Sequence, residues 1–266
     1  AGKGIDSRGN SFRTDDDSDA TPQISPSYSS KSVAQPYDKD PNKCLHGARK
    51  NVFAALMHVV KEKDNAYAIA RHEKIMATLV EISKLVDSPS HVHAIRIIAS
   101  MTRHRSNSKH IVFKLKIIVP AMVQATQSPD DDARQYALYA LQNLSQDRYC
   151  RQDVANTKDL ILALCQRVRQ SKLEAEKLAA VSSLKNLTDD PANLIPMSNT
   201  SECFATLMQV AHGSGVTEEM QYLACDALAT LSHWLRKIAT SGVADEQPST
   251  GLFVPSLKVV TWSQWE

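Results

Sequence analysis

Apolar residues recur along residues 44–240 at spacings that predict amphipathic helices within a longer repeat. The clearest copies are "YALYALQNLSQD", which ends at Asp147, and "LAAVSSLKNLTDD", which ends at Asp190. When the copies are superimposed, equivalent apolar residues, here called anchors, recur at steps of 42 to 44 residues along the chain. The five anchors are Leu56, Ile98, Leu141, Leu184 and Leu228.

Two further apolar columns keep register with the anchors. The column four residues before the anchor holds alanine in four of its five copies, and the column three residues after it holds Val, Met or Leu. Residues at i, i+4 and i+7 share one face of an α-helix, so each anchor helix is predicted to bury one face. The two columns are Val52, Ala94, Ala137, Ala180 and Ala224, and Val59, Met101, Leu144, Leu187 and Leu231.

An earlier apolar helix precedes four of the anchors, as in "IVPAMVQATQ" and "LILALCQRVRQ". Helices stacked at this period form α-solenoids, so we predict an all-α array of about five repeats over 44–240. The Ser- and Asp-rich residues 1–43 are predicted to be a disordered polar tail. Residues 241–266 are predicted to be a partial repeat or C-terminal cap, in which Trp262 and Trp265 cover the open end of the core. A docking motif is the second interpretation of these two tryptophans.

The helix "ALYALQNLSQDRYCRQDV" resembles the third helix of an armadillo repeat, in which a small residue precedes Leu-x-Asn-Leu. The segment Val119–Pro120–Ala121–Met122–Val123 is similar to the Ile-Pro-x-Leu-Val start of that family's second helix. The resemblance covers about residues 44–240. It implies a right-handed, armadillo-like α-solenoid of about five repeats of ~43 residues each. The glycine that usually joins the first two helices is missing from every copy, so a HEAT-like solenoid is the neighbouring alternative.

In armadillo proteins, the asparagine of Leu-x-Asn-Leu projects into a concave groove and bonds the backbone of an extended peptide. By this resemblance Asn143 and Asn186 are groove candidates, and Tyr139 offers an aromatic wall one turn earlier. An amide carries both a donor and an acceptor, which suits a peptide backbone of any sequence. A structural role between neighbouring helices is the alternative for both asparagines. The equivalent groove positions in other copies are Arg96, Ser100, Ser182, Asp226 and Thr230.

Charge is distributed unevenly along the chain, although the formal net charge is only +2. There is no Asp or Glu between Ser88 and Pro129. Basic surfaces attract acidic peptides, phosphate and nucleic acid by long-range, salt-sensitive forces. We predict a protein partner with an extended or acidic segment. The alternative partner is a nucleic acid bound by the basic 96–116 region, although this region has few aromatic residues on which bases could stack. The predicted basic patch is Arg103, Arg105, Lys109, Lys114 and Lys116.

The sequence contains no arrangement typical of catalysis. His91 and His93 are two residues apart and therefore lie on different faces of a helix, and no Gly-rich phosphate loop or nucleophile elbow is present. The five cysteines form an odd set without CxxC spacing, which favours a reducing compartment. The longest apolar run is too short to span a bilayer. We therefore predict a non-enzymatic scaffold of the cytoplasm or nucleus, with no metal, cofactor, membrane partner or small-molecule substrate.

Overall fold

The computed structural model describes residues 41–111 and 114–240, and every regular element in these ranges is helical. The predicted tail lies outside them except for its last three residues, which begin the first helix. Residues 241–266, with Trp262 and Trp265, also lie outside the described residues. Short 3-10 helices occupy Arg105–Asn107 and Pro191–Asn193. The α-helices are α1 (Pro41–Val59), α2 (Lys63–Arg71), α3 (Glu73–Lys84), α4 (His91–Thr102), α5 (Ser108–Ile111), α6 (Leu115–Ala125), α7 (Asp131–Gln146), α8 (Arg151–Ala155), α9 (Leu160–Gln170), α10 (Glu174–Thr188), α11 (Leu194–Asn199), α12 (Ser201–His212) and α13 (Glu218–Thr240).

The helices form two layers that follow the repeat. The anchor helices α4, α7, α10 and α13 pack side by side in chain order and are called the long helices below. The helices before them, α3, α6, α9 and α12, are called the middle helices; each packs on the long helix that follows it. Neighbouring middle helices also contact one another. Because each repeat packs chiefly on the repeats beside it, the architecture is an all-α helical solenoid.

Local sequence signals place the starts of the long helices. The carboxylate of Asp130 accepts a hydrogen bond from the backbone N–H of Ala133 at 2.9 Å, which caps α7. Asp131 and Asp132 follow in the first turn, where negative charge complements the helix dipole. The sequence therefore encodes the boundary between α6 and α7.

The predicted apolar face forms the core of the long helices α4 to α13. Its alanines are buried, as are the anchors Ile98, Leu141 and Leu184, and the anchor Leu228 is half-buried. Burying one leucine or isoleucine side chain stabilises a fold by about 1.5–3 kcal/mol. The small alanines allow each long helix to approach its neighbours closely, which keeps the core of the array continuous.

The first helix departs from the predicted columns. Val52 and Val59 of α1 are 57% and 41% exposed, whereas Phe53 and Val60 are buried and the anchor Leu56 is only half-buried. The buried face of α1 is thus displaced by one residue from the predicted one. The physical reason is that, among the described residues, α1 packs chiefly on α4, whereas each later long helix also packs on a middle helix of its own repeat.

A buried ion pair links α7 to α10. Arg134 donates through Nε to Glu176 at 3.0 Å, and the Glu176 side chain is 0% exposed. The other carboxylate oxygen of Glu176 accepts from the hydroxyl of Ser171 at 2.7 Å. Arg134 also donates to the carbonyls of Ser128 and Pro129, in the turn before α7. A charge pair with its remaining hydrogen-bonding groups satisfied is the kind that tolerates burial.

His91 occupies the equivalent junction between α4 and the turn before α7. Its Nε2 lies 3.3 Å from the hydroxyl of Ser128, and the side chain is buried. Burial lowers the pKa of His91, although the Ser83 backbone and the charge of Asp130 act in the opposite direction. His91 therefore favours its neutral form in the folded protein.

Candidate binding surface on the long helices

The predicted groove residues lie on the four long helices. Arg96 and Ser100 belong to α4, Tyr139 and Asn143 to α7, Ser182 and Asn186 to α10, and Asp226 and Thr230 to α13. Arg96 is exposed, Ser182 is buried, and the others are half-buried.

Asn143 and Asn186 each bridge to the preceding long helix. Nδ2 of Asn143 donates to the hydroxyl of Thr102 at 3.2 Å, and Nδ2 of Asn186 donates to the hydroxyl of Ser145 at 3.3 Å. The two hydroxyls in turn donate to backbone carbonyls of their own helices, those of Ala99 and Gln142. Each bridge therefore gives the amide nitrogen an acceptor and the hydroxyl a donor.

These amide–hydroxyl bridges leave the other half of each asparagine available. Oδ1 of Asn143 and Oδ1 of Asn186 accept no hydrogen bond from the described residues and are not sealed from solvent. A third bridge is missing between α10 and α13, because Thr230 donates to the carbonyl of Asp226 on its own helix. The surface thus presents two amide oxygens, on α7 and α10, in equivalent positions.

A cation and two aromatic rings lie where α4 meets α7. The guanidinium of Arg96 lies over the ring of Tyr136, 5.2 Å from its centroid, and forms no ion pair with any described residue. The Tyr139 hydroxyl accepts from Nε2 of Gln135 at 3.0 Å, which orients that ring. Sequence reasoning missed Tyr136, although an aromatic residue one turn before Tyr139 was a visible signal.

The opposite end of the surface has compensated charges. Nζ of Lys185 lies 3.1 Å from a carboxylate oxygen of Asp189 and 3.3 Å from one of Asp226. Partial burial alone would lower the pKa of Lys185, but the two aspartates outweigh it and the pKa is raised. Asp226, predicted from sequence as a groove residue, is therefore neutralised by Lys185.

The structure describes four side chains of the predicted basic patch. Arg103 and Arg105 are exposed just after α4, and Lys116 is exposed on α6. Nζ of Lys114 instead donates to the carbonyl of Ala70 at 2.7 Å, which ties it to the end of α2. The side chain of Lys109 lies outside the described residues. The basic patch stays a prediction, and within it Lys114 is bonded to a backbone carbonyl.

A cleft of about 310 Å³ next to Arg105 adds residues that sequence reasoning missed. Arg148 stacks over the ring of Tyr149, 4.8 Å from its centroid, and also donates to the Tyr149 hydroxyl at 2.7 Å. The cleft is lined by Arg105, Ser106, Gln146, Asp147, Arg148 and Tyr149. It combines two arginines and an exposed aromatic ring.

Comparisons with known proteins identify the fold. No protein-family model matches this chain, and no curated protein matches it. Two engineered proteins of the Northeast Structural Genomics Consortium are similar in structure, with TM-scores of 0.59 and 0.57 and sequence identities of 16% and 17%. The alignments cover 77% and 73% of this chain, and 81% and 46% of the engineered chains.

A designed armadillo repeat protein is also similar, with a TM-score of 0.50 and 14% identity over 71% of this chain and 85% of that protein. Likeness at such identities identifies the fold alone, and the fold is an armadillo-like helical repeat. Within the described residues, no helix is both long and apolar enough to cross a membrane. No cluster of metal-ligating side chains occurs in that part of the chain.

Proposed function

We propose that this chain is a non-enzymatic protein-interaction scaffold that binds an extended segment of a partner protein across its long helices. The resemblance to armadillo repeats assigns this layer to the concave side. The observation that carries the proposal is the pair of open amide oxygens, on Asn143 and Asn186, beside the uncompensated Arg96. The described cysteines are free thiols, in keeping with a reducing cytoplasmic or nuclear location.

The amide oxygens suit the backbone of an extended chain. Packed helices lie about 8–10 Å apart, and an extended chain rises about 3.3 Å per residue. The oxygens on α7 and α10 would therefore accept backbone N–H groups two residues apart, the even spacing nearest this distance, because successive N–H groups of an extended chain point to opposite sides. Because Nδ2 of each asparagine is already bonded to the preceding helix, the amides are held in place before the partner arrives.

The charges give the bound segment a direction. Arg96 has no carboxylate partner among the described residues, so it favours an acidic side chain near α4 and α7, where Tyr136 and Tyr139 supply aromatic surface. Lys185 is already paired with Asp189 and Asp226, so it offers no unpaired charge to the bound segment. The proposed partner is a segment whose acidic residues lie towards α4.

To test this proposal, peptides that bind the full chain are selected from a random library of peptides about twelve residues long. The affinity of an enriched peptide is then measured by fluorescence anisotropy. We expect acidic peptides, and we expect Arg96→Glu to weaken binding about tenfold or more, since a favourable charge contact becomes repulsive. Lys116→Glu is the matched control, because it makes the same charge change at an exposed site on α6. Equal weakening by both variants, or enrichment of basic peptides, would overturn the proposal.

The second candidate function, nucleic-acid binding, is favoured by the cleft that joins Arg105 to Arg148 and Tyr149. Arginines with a stacking aromatic ring bind single strands by salt-sensitive contacts. The probe is a fluorescent single-stranded RNA oligonucleotide titrated at several salt concentrations. This function is favoured over peptide binding if the affinity for RNA falls steeply with salt. The double variant Arg105→Ser with Arg148→Ser should then lose RNA binding, whereas Arg96→Glu should leave it unchanged.

A further inference from the structure

The last long helix described, α13, exposes a position that is buried in the long helices before it. Ile95, Leu138 and Val181 lie three residues before their anchors and are fully buried. Each belongs to a long helix that packs against the next long helix in the chain. The equivalent residue of α13 is Cys225, which is exposed. Tyr222, one turn earlier, is 70% exposed. Tyr222, Cys225 and Ala229 are called the open face of α13 below.

The chain supplies its own candidate to cover this face. After Thr240 it continues for another 26 residues, to Glu266. Within them, Val254–Pro255–Ser256–Leu257 repeats the pattern Val119–Pro120–Ala121–Met122 of α6. In α6 the valine and methionine of this pattern are fully buried, and the proline is exposed. The same pattern after α13 is that of one more middle helix.

The interior repeats indicate where such a segment would place its tryptophans. Ser128, nine residues after Val119, lies 3.3 Å from Nε2 of His91, near the start of the preceding long helix. Counting nine residues from Val254 gives Ser263, between Trp262 and Trp265. The α13 equivalent of His91 is Gln221, which is next to Tyr222. The repeat register therefore brings residues 262–265 next to Tyr222, at the start of α13.

We propose that residues 252–266 of this chain dock on the open face of α13 as an incomplete further repeat, with Trp262 and Trp265 covering Tyr222 and Cys225. A tryptophan side chain buries about 150–250 Å² when it packs, so two of them can replace much of a missing helix. Terminal repeats of a solenoid need such covering, because their inward faces are apolar. The occupant is the chain itself rather than a partner.

The length of the connection favours this occupant over a second copy of the chain. Residues 241–251 span up to about 36–40 Å when extended, which exceeds the distance across several packed helices. A tethered segment has an effective concentration of about millimolar order, far above that of a second copy in dilute solution. Intramolecular docking is therefore expected to prevail.

Cys225 provides a built-in reporter for the test. It is the one exposed cysteine among those described, because Cys150, Cys165 and Cys203 are buried. Burial also raises the pKa of Cys150 to about 12, which suppresses its thiolate. The native full chain is treated with iodoacetamide, and alkylation of each cysteine is followed by peptide mass spectrometry. Unreacted Cys150 shows that the fold is intact during labelling.

We expect Cys225 to react about tenfold or more slowly in the wild-type chain than in Trp262→Ser with Trp265→Ser, since docking must open before labelling. Asp245→Asn with Glu246→Gln is the matched control, and its labelling rate should equal that of the wild type. Equal rates in the wild type and the tryptophan variant would overturn the proposal. So would protection that grows with protein concentration, because it would assign the face to a second copy.

Discussion

The junctions inside the array differ from those at its ends. Between α4 and α7, and between α7 and α10, amide–hydroxyl bridges join the long helices, and the second junction adds the buried Arg134–Glu176 pair. At the ends, Val52 and Val59 of α1 are exposed, and Thr230 bonds only its own helix. Within the described residues, an interior repeat therefore has polar contacts to a long helix on each side, and the first and last described helices lack one set of these contacts.

The largest expected effect comes from breaking the buried ion pair in the interior. Glu176→Gln removes the buried carboxylate that pairs with Arg134 and leaves only Asp131, on the same helix as Arg134, to pair with the guanidinium. The loss is expected to lower the free energy of unfolding by about 3 kcal/mol. Urea unfolding followed by circular dichroism measures the change. Glu174→Gln is the matched control, because Glu174 is exposed in the same helix turn. If both variants unfold at the same urea concentration, the pair is not a main support of the α7–α10 junction.

A smaller effect is expected from the amide–hydroxyl bridge. Asn143→Ala removes the bridge to Thr102 and is expected to cost about 1–3 kcal/mol, whereas Thr230→Ala at the terminal equivalent should cost under about 0.5 kcal/mol. A double-mutant cycle of Asn143→Ala with Thr102→Val isolates the contact. A coupling energy near zero, or an equal cost at Thr230, would remove the distinction between interior and end.

The smallest effect is a pH dependence at the α4–α7 junction. Because the pKa of His91 is lowered in the folded protein, the unfolded state binds more protons as the pH falls through about 6.5. Stability is therefore fully present above that pH and declines below it. His91→Gln, which can still bond Ser128, should flatten the decline when unfolding is measured at several pH values. A variant with the same pH profile as the wild type would contradict this assignment.

Much of the fold was predictable from short-range patterns. The i, i+4, i+7 columns predicted the buried face of α4, α7 and α10, and the all-α, armadillo-like prediction is confirmed by the likeness to solved repeat structures. The number and handedness of the repeats stay predictions. The columns failed at Val52 and Val59, since periodicity assigns a face to the core without stating whether a helix packs on that face.

The candidate site was predictable only in part. The resemblance selected Asn143, Asn186 and Tyr139, and the structure adds Tyr136 beside Arg96 and ties Lys185 to Asp226. The roles of these groove residues stay predictions until a partner is bound. The two interpretations of the asparagines prove compatible in geometry, because Nδ2 of each bonds a neighbouring helix while Oδ1 stays open.

The sequence by itself determined the helices, their period and the residues that form the interior core, because helix periodicity and capping are local properties. Only the tertiary structure decided which polar groups meet. Arg134 and Glu176 are 42 residues apart, and Asn143 and Thr102 are 41 apart. Such pairs depend on how two helices are set against each other, since a rotation of one residue, as in α1, exchanges the buried residues for exposed ones.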